Sequence, residues 1–250
     1  TALRRVEQGE MVGYAESPTC RMAYLRNLLD DTTEEPCGIC DRCTGESLEI
    51  DLDPRLVAQA VEHIRRGYLT IEPRKKWPDS GWIPTEHRSE VGRALSRWGD
   101  GGWGDRVAEN RVAGCFDDDL LDAAVELIRD RWQPDPSPTW VTVVPSTRFP
   151  GVTAEFAARL AERLGLRFVE AIERVADREP QRTMNNSAMQ YRNVEGVFTA
   201  TGAINPGPVL LIDDVVDSRW TMTLVGVALR HGGSGPVYPF ALADAAGRST

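Results

Sequence analysis

The sequence predicts a multidomain α/β protein: a helical cysteine-rich module at residues 1–50, a small winged-helix-like α+β module at 51–116, and a parallel-sheet α/β domain at 117–250. Three observations predict this organisation. Four of the five cysteines fall within residues 20–43, a helix, strand, helix and turn order fills the middle, and apolar strands alternate with amphipathic helices from residue 139 onward. Such alternation implies parallel strands joined by right-handed crossovers.

Composition and charge narrow the function classes. The net charge of −9 argues against a surface that binds nucleic acid uniformly. Residues 1–53 carry 5 basic and 12 acidic side chains, whereas residues 54–111 carry 11 and 8, so a polyanion surface is expected only in the middle third. The lack of a long apolar run and of a signal-like leader favours a cytoplasmic protein without a membrane segment. Because a helical pattern is already under way at Thr1, we expect a fragment of a longer protein.

Cys20, Cys37, Cys40 and Cys43 are separated by sixteen, two and two residues, a spacing that suits tetrahedral, structural Zn²⁺. A redox or disulfide cluster is the alternative, which a reducing cytosol disfavours. The segment resembles the zinc-binding subdomain of RecQ-type helicases. In that family the subdomain packs against the motor and supports DNA binding. No Walker A or DEAH-like sequence occurs in these residues, so the resemblance implies a motor that is missing here.

The middle third predicts a winged-helix-like module with a helix over residues 54–66, a strand over 68–78, a second helix over 90–98 and a turn-rich segment over 99–105. The far end of the strand is basic and aromatic, a composition that meets phosphates and stacks on bases in DNA-binding proteins. A solvated basic turn with its tryptophan packed beneath is the alternative. The candidate DNA contacts are Arg74, Lys75, Lys76 and Trp77.

In the last third, an acidic pair follows a buried-type strand over residues 209–212, and a polar turn then leads into a helix. In open α/β sheets ligands bind at such points, because free N–H groups of the helix hold phosphate and carboxylates accept hydroxyl protons. Further elements are expected as a helix over 118–131, a strand over 139–144, a helix over 153–164 and a strand over 237–242.

This run resembles the PRPP-binding motif of type I phosphoribosyltransferases. The resemblance implies that Asp213 and Asp214 hold ribose hydroxyls, with Mg²⁺ shared, and that PRPP or a nucleotide is the ligand. Asp217 stands where the family sometimes places a general base, and a plain loop role is the alternative. The 5′-phosphate would be received by Ser218 and Thr221, together with the backbone N–H groups between them at Arg219 and Trp220.

Arg219 departs from the family pattern, which has glycine there because a phosphate-binding turn commonly needs positive φ. An arginine can supply charge instead, and Trp220 can stack on a base or cover the sheet. Arg148 resembles a residue of the pyrophosphate loop and can pair with a diphosphate. A second cluster resembles the ComF-type branch of the same superfamily: Gln181, Met184, Asn185, Arg192, Asn193 and Phe198.

Together, the two resemblances identify the C-terminal region of a RecQ-like DNA helicase of the RqlH type. They imply that the chain braces the missing N-terminal motor and contacts DNA during 3′-to-5′ unwinding, in a cytoplasmic, nucleoid-associated protein. The last domain would sense a phosphorylated ribose ligand. Two alternatives stay open: an active Mg²⁺-dependent phosphoribosyltransferase, and a protein-interaction platform whose acidic pocket is filled by its own side chains.

Overall fold

The computed structural model describes residues 2–33, 35–46, 52–79, 81–146, 148–176, 187–202 and 204–246. The chain divides into two compact units, residues 1–54 and 55–250, so the first division lies close to the one expected at residue 50. The expectations on Gln181, Met184 and Asn185 lie outside the described residues.

The first unit contains the helices α1 (Ala2–Glu16), α2 (Arg21–Leu28) and α3 (Asp41–Thr44). Tyr14 and Tyr24 join α1 to α2, with ring centroids 6.0 Å apart in an edge-to-face arrangement. Every side chain of this unit whose burial is described remains at least partly exposed. A unit without a buried apolar core needs another source of stability, and the cysteine cluster is the one available.

The second unit is α/β, and the predicted class with a mostly parallel sheet is confirmed. Its described helices are α4 (Pro54–Arg65), α5 (Gly104–Ala113), α6 (Asp118–Glu126), α7 (Val152–Leu164), α8 (Ser187–Val194) and α9 (Trp220–His231). Its described strands are β1 (Leu69–Ile71), β2 (Gly92–Arg97), β3 (Trp140–Val143), β4 (Arg167–Phe168), β5 (Ile172–Arg174), β6 (Phe198–Ala200), β7 (Val209–Val216) and β8 (Val237–Asp244).

Six strands form one sheet in the order β1-β2-β8-β7-β3-β4, with β1 antiparallel and the other neighbours parallel. β5 and β6 form a separate antiparallel ribbon. Helices cover both faces of β7: Leu210 and Ile212 belong to the core beneath α6 and α7, and Leu211 packs with Val225 of α9. This double coverage explains the continuous apolar run of the strand. It also places the acidic pair in the carboxyl-terminal half of a central strand, which continues to Val216 and not only to residue 212 as expected.

The boundary expected between residues 116 and 117 does not coincide with a division of the structure, because β1 and β2 belong to the same sheet as β7. The helix predicted over residues 90–98 is wrong, since residues 92–97 form β2, parallel to β8. A Cβ on Gly92 would lie 2.3 Å from the Pro239 carbonyl oxygen, so the two backbones approach closely only because Gly92 has no side chain. The residues expected to form a winged-helix-like module are therefore built into the α/β unit.

The helix predicted over 118–131 is present as α6, which continues through a π-helical segment, Leu127–Trp132. Asp117 caps it: its carboxylate accepts the N–H of Leu120 at 3.0 Å. No helix in the described part of the chain combines the length and apolarity needed to cross a bilayer.

Candidate functional site

The four cysteines of the first unit converge on one point. Their sulfur atoms all lie within 4.8 Å of one another. The Cys37–Cys43, Cys20–Cys40 and Cys40–Cys43 sulfur pairs are 4.0, 3.9 and 3.5 Å apart. Tetrahedral Zn²⁺ with bonds of about 2.3 Å needs sulfur atoms about 3.8 Å apart. The predicted ligand set is therefore confirmed as a cluster positioned for zinc.

Local contacts hold this cluster in shape. Arg21, directly after Cys20, donates two hydrogen bonds of 3.0 Å to the Asp41 carboxylate, and so ties the start of α2 to that of α3. The backbone N–H of Cys37 donates to the Cys20 sulfur at 3.2 Å. That hydrogen bond is the main reason why the pKa of Cys20 is lowered to about 6. Cys20 can therefore supply a thiolate near neutral pH, which is the form that binds a metal.

The acidic pair of the second unit lies inside β7 and already has an internal partner. The side chain of Asp214 is 5% exposed, and its Oδ2 lies 2.6 Å from Nε of Arg111 in α5. The N–H is not directed at the carboxylate, so the contact is an ion pair and not a hydrogen bond. The Arg111 guanidinium carbon is also 4.7 Å from the centre of the Phe149 ring and 5.8 Å from that of Trp98. Arg111 is thus held by charge and by aromatic contacts.

Among the described residues Asp213 forms no ion pair of this kind, although the charge of Arg111 also acts on it. Burial, followed by the neighbouring Asp214 carboxylate, raises the pKa of Asp213 well above its ordinary value. The Asp214 carboxylate is already paired with the Arg111 guanidinium, so a Mg²⁺ ion at this carboxylate would have to displace that cation. The pair therefore does not fit Mg²⁺ in this conformation. The Arg111 side chain therefore fills the acidic pocket. Such filling was predicted for a last domain that acts as a protein-interaction platform.

The polar turn between β7 and α9 contains a backbone feature that normally requires glycine. Arg219 precedes α9 with φ 67°, in the left-handed region. Its carbonyl accepts hydrogen bonds from the backbone N–H and the hydroxyl of Thr223, both at 2.9 Å. Its side chain donates a long hydrogen bond of 3.4 Å to the Glu72 carbonyl, and its Nε is buried without a hydrogen-bond partner in the described structure. The turn keeps the glycine-like conformation and adds a positive charge to it.

A second guanidinium reaches the same turn from the segment after β1. Arg74 donates to the Ser218 carbonyl oxygen from Nε at 3.2 Å and from Nη2 at 2.7 Å. Partial burial and the charge of Arg219 lower the pKa of Arg74. Among the described residues, no carboxylate forms an ion pair with Arg74 or Arg219. The turn therefore lies beside two guanidinium groups that form no ion pair with a carboxylate in the described part of the chain.

The residues predicted to contact DNA divide into two groups. Arg74 and Trp77 face the turn, and the Trp77 ring lies 6.5 Å from Trp220 and 5.7 Å from Tyr191. Lys75 and Lys76 are exposed, with Nζ of Lys76 4.4 Å from the centre of the Trp82 ring. Trp220 is only 1% exposed, so of its two expected roles it covers the sheet.

A cleft of about 490 Å³ opens at the carboxyl end of β3. Ser146 and Phe149 line it, as does Thr153, which is 2% exposed and whose hydroxyl has no hydrogen-bond partner in the described structure. Arg148 is exposed and does not line the cleft; its guanidinium carbon lies 5.2 Å from the centre of the Phe149 ring.

The remaining predicted residues surround the turn. Asp217 is exposed, yet partial burial of its carboxyl and the nearby Asp244 raise its pKa. Ser218 is buried, and its hydroxyl accepts the N–H of Trp220 at 3.4 Å. Thr221 lies half-buried in the first turn of α9. Sequence reasoning missed Arg111 altogether and gave Arg74 a different role, because no local pattern links either residue to β7.

Comparisons with known proteins support the first unit most directly. The family model for RecQ zinc-binding matches residues 3–44, which include all four cysteines of the cluster. No curated protein sequence matches the chain. Among solved structures the chain is similar to adenine phosphoribosyltransferase from Leishmania tarentolae, with 18% identity and a TM-score of 0.35 over 56% of this chain and 74% of that one. A TM-score this low does not establish a shared fold.

Proposed function

We propose that this chain is the C-terminal accessory region of an ATP-dependent 3′-to-5′ RecQ-like DNA helicase. The first unit braces the motor, and the second unit binds a nucleotide or another phosphoribosyl-type ligand. The observation that carries the proposal is the cluster of four cysteines, which has the dimensions of a zinc site and lies within the RecQ zinc-binding match over residues 3–44.

Bracing is supported by the apolar surface of the first unit. Leu29 and Ile39 are 80% and 83% exposed, and Leu3 and Met11 are also largely exposed. Exposed apolar side chains on a unit without a core of its own favour contact with another protein surface. A helicase motor on the same polypeptide is the partner that the zinc module supports.

The test uses the polypeptide that carries the motor. We expect Ile39→Asp combined with Leu29→Asp to slow ATP-driven unwinding of a 3′-tailed duplex severalfold while the zinc content stays at one ion per chain. Thr32→Asp is the control, because it places one such charge on an exposed polar position nearby. Unwinding that is unchanged in the double variant would remove the case for bracing.

DNA contact is assigned to Lys75 and Lys76, the exposed members of the predicted group, which would place the protein at the nucleoid. Lysines that meet phosphates release counterions, so their loss should weaken binding and flatten its salt dependence. We expect Lys75→Ala with Lys76→Ala to show both effects when anisotropy of a labelled duplex is measured over a salt series. Arg97→Ala, at another exposed position, is the control. An unaltered salt slope would exclude these lysines.

A second candidate for the second unit is a protein-interaction platform, which the Arg111–Asp214 ion pair favours. An active transferase is disfavoured by the same contact, because Asp214 is not free to bind ribose or Mg²⁺. Calorimetry with PRPP and with ribose 5-phosphate separates these functions, and Asp214→Asn tests whether the carboxylate takes part. Binding of neither compound would leave the platform as the better description of this unit.

A further inference from the structure

We propose that Trp82 is the side chain on which this protein stacks a base of single-stranded DNA. The inference rests on the proposed DNA contact and deepens it, because it names the form of the DNA and the residue that engages a base. The stacking role expected of Trp77 then passes to a tryptophan five residues further along the chain. Lys75 and Lys76 would hold neighbouring phosphates of the same strand.

Trp77 is already engaged with other aromatic rings. Its ring centroid lies 6.5 Å from that of Trp220, with the two planes only 12° apart, and 5.7 Å from that of Tyr191. Because Trp220 is 1% exposed, this stack belongs to the covering of the sheet. A base would have to compete with two rings of the protein for Trp77, which makes this residue a poor stacking platform.

Trp82 lies in the open with cations beside it. The residue is 61% exposed. Nζ of Lys76 lies 4.4 Å from the centre of its ring, and the guanidinium carbon of Arg88 lies 5.8 Å from it. A single exposed apolar side chain is ordinary on a protein surface, so the two cations are what distinguish this one. An accessible indole among positive charges is the combination by which proteins stack a base and hold the adjoining phosphates.

The backbone around Trp82 is fixed. Lys76 and Trp82 form an antiparallel bridge, and the N–H of Ile83 donates to the Lys75 carbonyl at 2.9 Å. Ile83 is fully buried, and its carbonyl accepts a hydrogen bond of 2.7 Å from Nε of Arg88. Since successive side chains of extended backbone point to opposite sides, the burial of Ile83 directs Trp82 outward. A side chain presented in this way loses little backbone freedom when it binds.

The charge around Trp82 favours a polyanion over an apolar protein surface. Residues 74–88 carry four basic and two acidic side chains. One of the acids, Asp79, lies 3.4 Å from the Arg192 guanidinium, and no carboxylate among the described residues forms an ion pair with Lys75 or Lys76. In a duplex every base is paired and stacked, so its removal from the stack costs free energy, whereas a single strand offers its bases freely. Single-stranded DNA is therefore the form that fits.

Fluorescence anisotropy on the complete chain tests the inference. The probes are a labelled oligothymidylate of about 12 nucleotides, an abasic strand of the same length, and a duplex of the same length. Trp82→Ala should weaken binding of the oligothymidylate roughly tenfold, since stacking of a base on an aromatic side chain contributes that much. The abasic strand keeps the phosphates but has no base to stack. It should therefore bind the native chain and Trp82→Ala equally, and so should the duplex.

Two further variants serve as controls. Trp82→Phe should keep most of the affinity for the oligothymidylate, because phenylalanine also offers an aromatic face. Tyr68→Ala is the matched control: Tyr68 is another exposed aromatic residue beside an arginine, with the guanidinium carbon of Arg93 5.3 Å from the centre of its ring. Its affinity for the oligothymidylate should equal that of the native chain. Circular dichroism verifies that each variant is folded.

The salt dependence separates this inference from the proposed phosphate contact. Loss of Lys75 and Lys76 should flatten the salt slope, whereas Trp82→Ala should lower the affinity and leave the slope unaltered. An effect of the lysines without an effect of Trp82→Ala would overturn stacking and leave the proposed DNA contact intact.

Three other outcomes contradict stacking on Trp82. Trp82→Ala that weakens the abasic strand as much as the oligothymidylate would show that no base is involved. Slower unwinding by the polypeptide that carries the motor, with single-strand affinity unchanged, would assign Trp82 to a protein contact instead. Failure of the native chain to bind any of the probes would remove the proposed DNA contact as well.

Discussion

Arg219 shows how one residue can keep a backbone conformation while changing the chemistry of a turn. Its φ of 67° is the conformation that glycine adopts freely. The left-handed conformation lowers the stability of the folded state by roughly 1–2 kcal/mol for a residue with a side chain. A glycine would avoid this strain, but part of the gain would be offset because glycine increases the entropy of the unfolded chain. The charge beside the turn therefore has a cost in stability, which a functional site can sustain.

Arg219→Gly is expected to raise the free energy of unfolding by about 0.5–1 kcal/mol, since the strain is removed and only a long hydrogen bond to Glu72 is lost. Urea denaturation followed by circular dichroism measures it. Gln133→Gly is the control, because Gln133 also has positive φ, at 49°, and lies outside the turn. A similar gain in unfolding free energy in both variants would assign the effect to relief of backbone strain. A large loss of unfolding free energy in Arg219→Gly would contradict the prediction.

Asp213 is expected to make the stability of the second unit depend on pH. Its pKa is raised in the folded state above the ordinary value of 3.8, so the folded state binds the proton more tightly than the unfolded one. This contribution to stability is therefore present below about pH 4 and is lost as the pH rises toward the raised pKa, by up to about 1.4 kcal/mol per pH unit.

The matching variant is Asp213→Asn, which mimics the protonated form. It should be more stable than the native chain at neutral pH and should lose the pH dependence that Asp213 causes. Urea denaturation at a series of pH values from 4 to 8, followed for both proteins, checks the sign. A native chain that gains stability from this residue as the pH rises would show that Asp213 is ionised in the folded state.

At the scale of elements, the contact between α5 and β7 decides what the acidic pair can do. α5 comes from the middle third of the chain and brings Arg111 to Asp214 at the carboxyl end of a central strand. The ion pair is largely buried, so its removal on one side leaves an uncompensated charge. The same helix also carries Arg106, which pairs with Asp117 in a more exposed position.

Arg111→Met should lower the free energy of unfolding by about 3 kcal/mol, because it leaves the Asp214 carboxylate buried and unpaired. Arg106→Met should cost less than about 1 kcal/mol, since its carboxylate partners remain open to solvent. Adding Asp214→Asn to Arg111→Met should recover much of the loss. Denaturation midpoints of the three variants test this, and equal losses from the two arginine variants would contradict a buried pair.

At the scale of the whole molecule, the two units obtain their stability from different sources. The second unit has a buried apolar cluster on each face of its sheet, with Phe156 and Leu160 in one cluster and Leu211 in the other. The first unit has no buried residue among those whose burial is described. Its stability should come from the metal, as in small domains that fold only when zinc is bound.

Removal of zinc by a chelator is therefore expected to unfold the first unit and leave the second one folded. The helical signal at 222 nm should fall by the share that α1, α2 and α3 contribute, and a separate thermal transition of the second unit should remain. Cys37→Ser should have the same effect without a chelator. Cys115→Ser is the control, because Cys115 is exposed and lies outside the cluster. Loss of both units together would contradict independent sources of stability.

Features formed by residues close together in the sequence were predictable, whereas contacts between distant segments were not. The cysteine cluster and the order of β7, turn and α9 come from short segments whose residue types suffice, and both were found as expected. The helix expected over residues 90–98 was wrong, because its helical spacing competed with pairing to β8, far along the chain. A central strand is defined by the strands that pair with it, and the local periodicity of the sequence gives no information about those partners.

The sequence by itself determined a cysteine cluster for zinc and an acidic pair followed by a polar turn at the end of a central strand. Only the tertiary structure decided which side chains contact the acidic pair and the polar turn. Arg111 reaches Asp214, and Arg74 reaches the Ser218 carbonyl across 144 residues of chain. The physical reason is that the charge compensation of a buried site depends on which side chains packing brings within a few ångströms. That proximity pairs the Asp214 carboxylate with Arg111 and places the Arg74 guanidinium beside the turn.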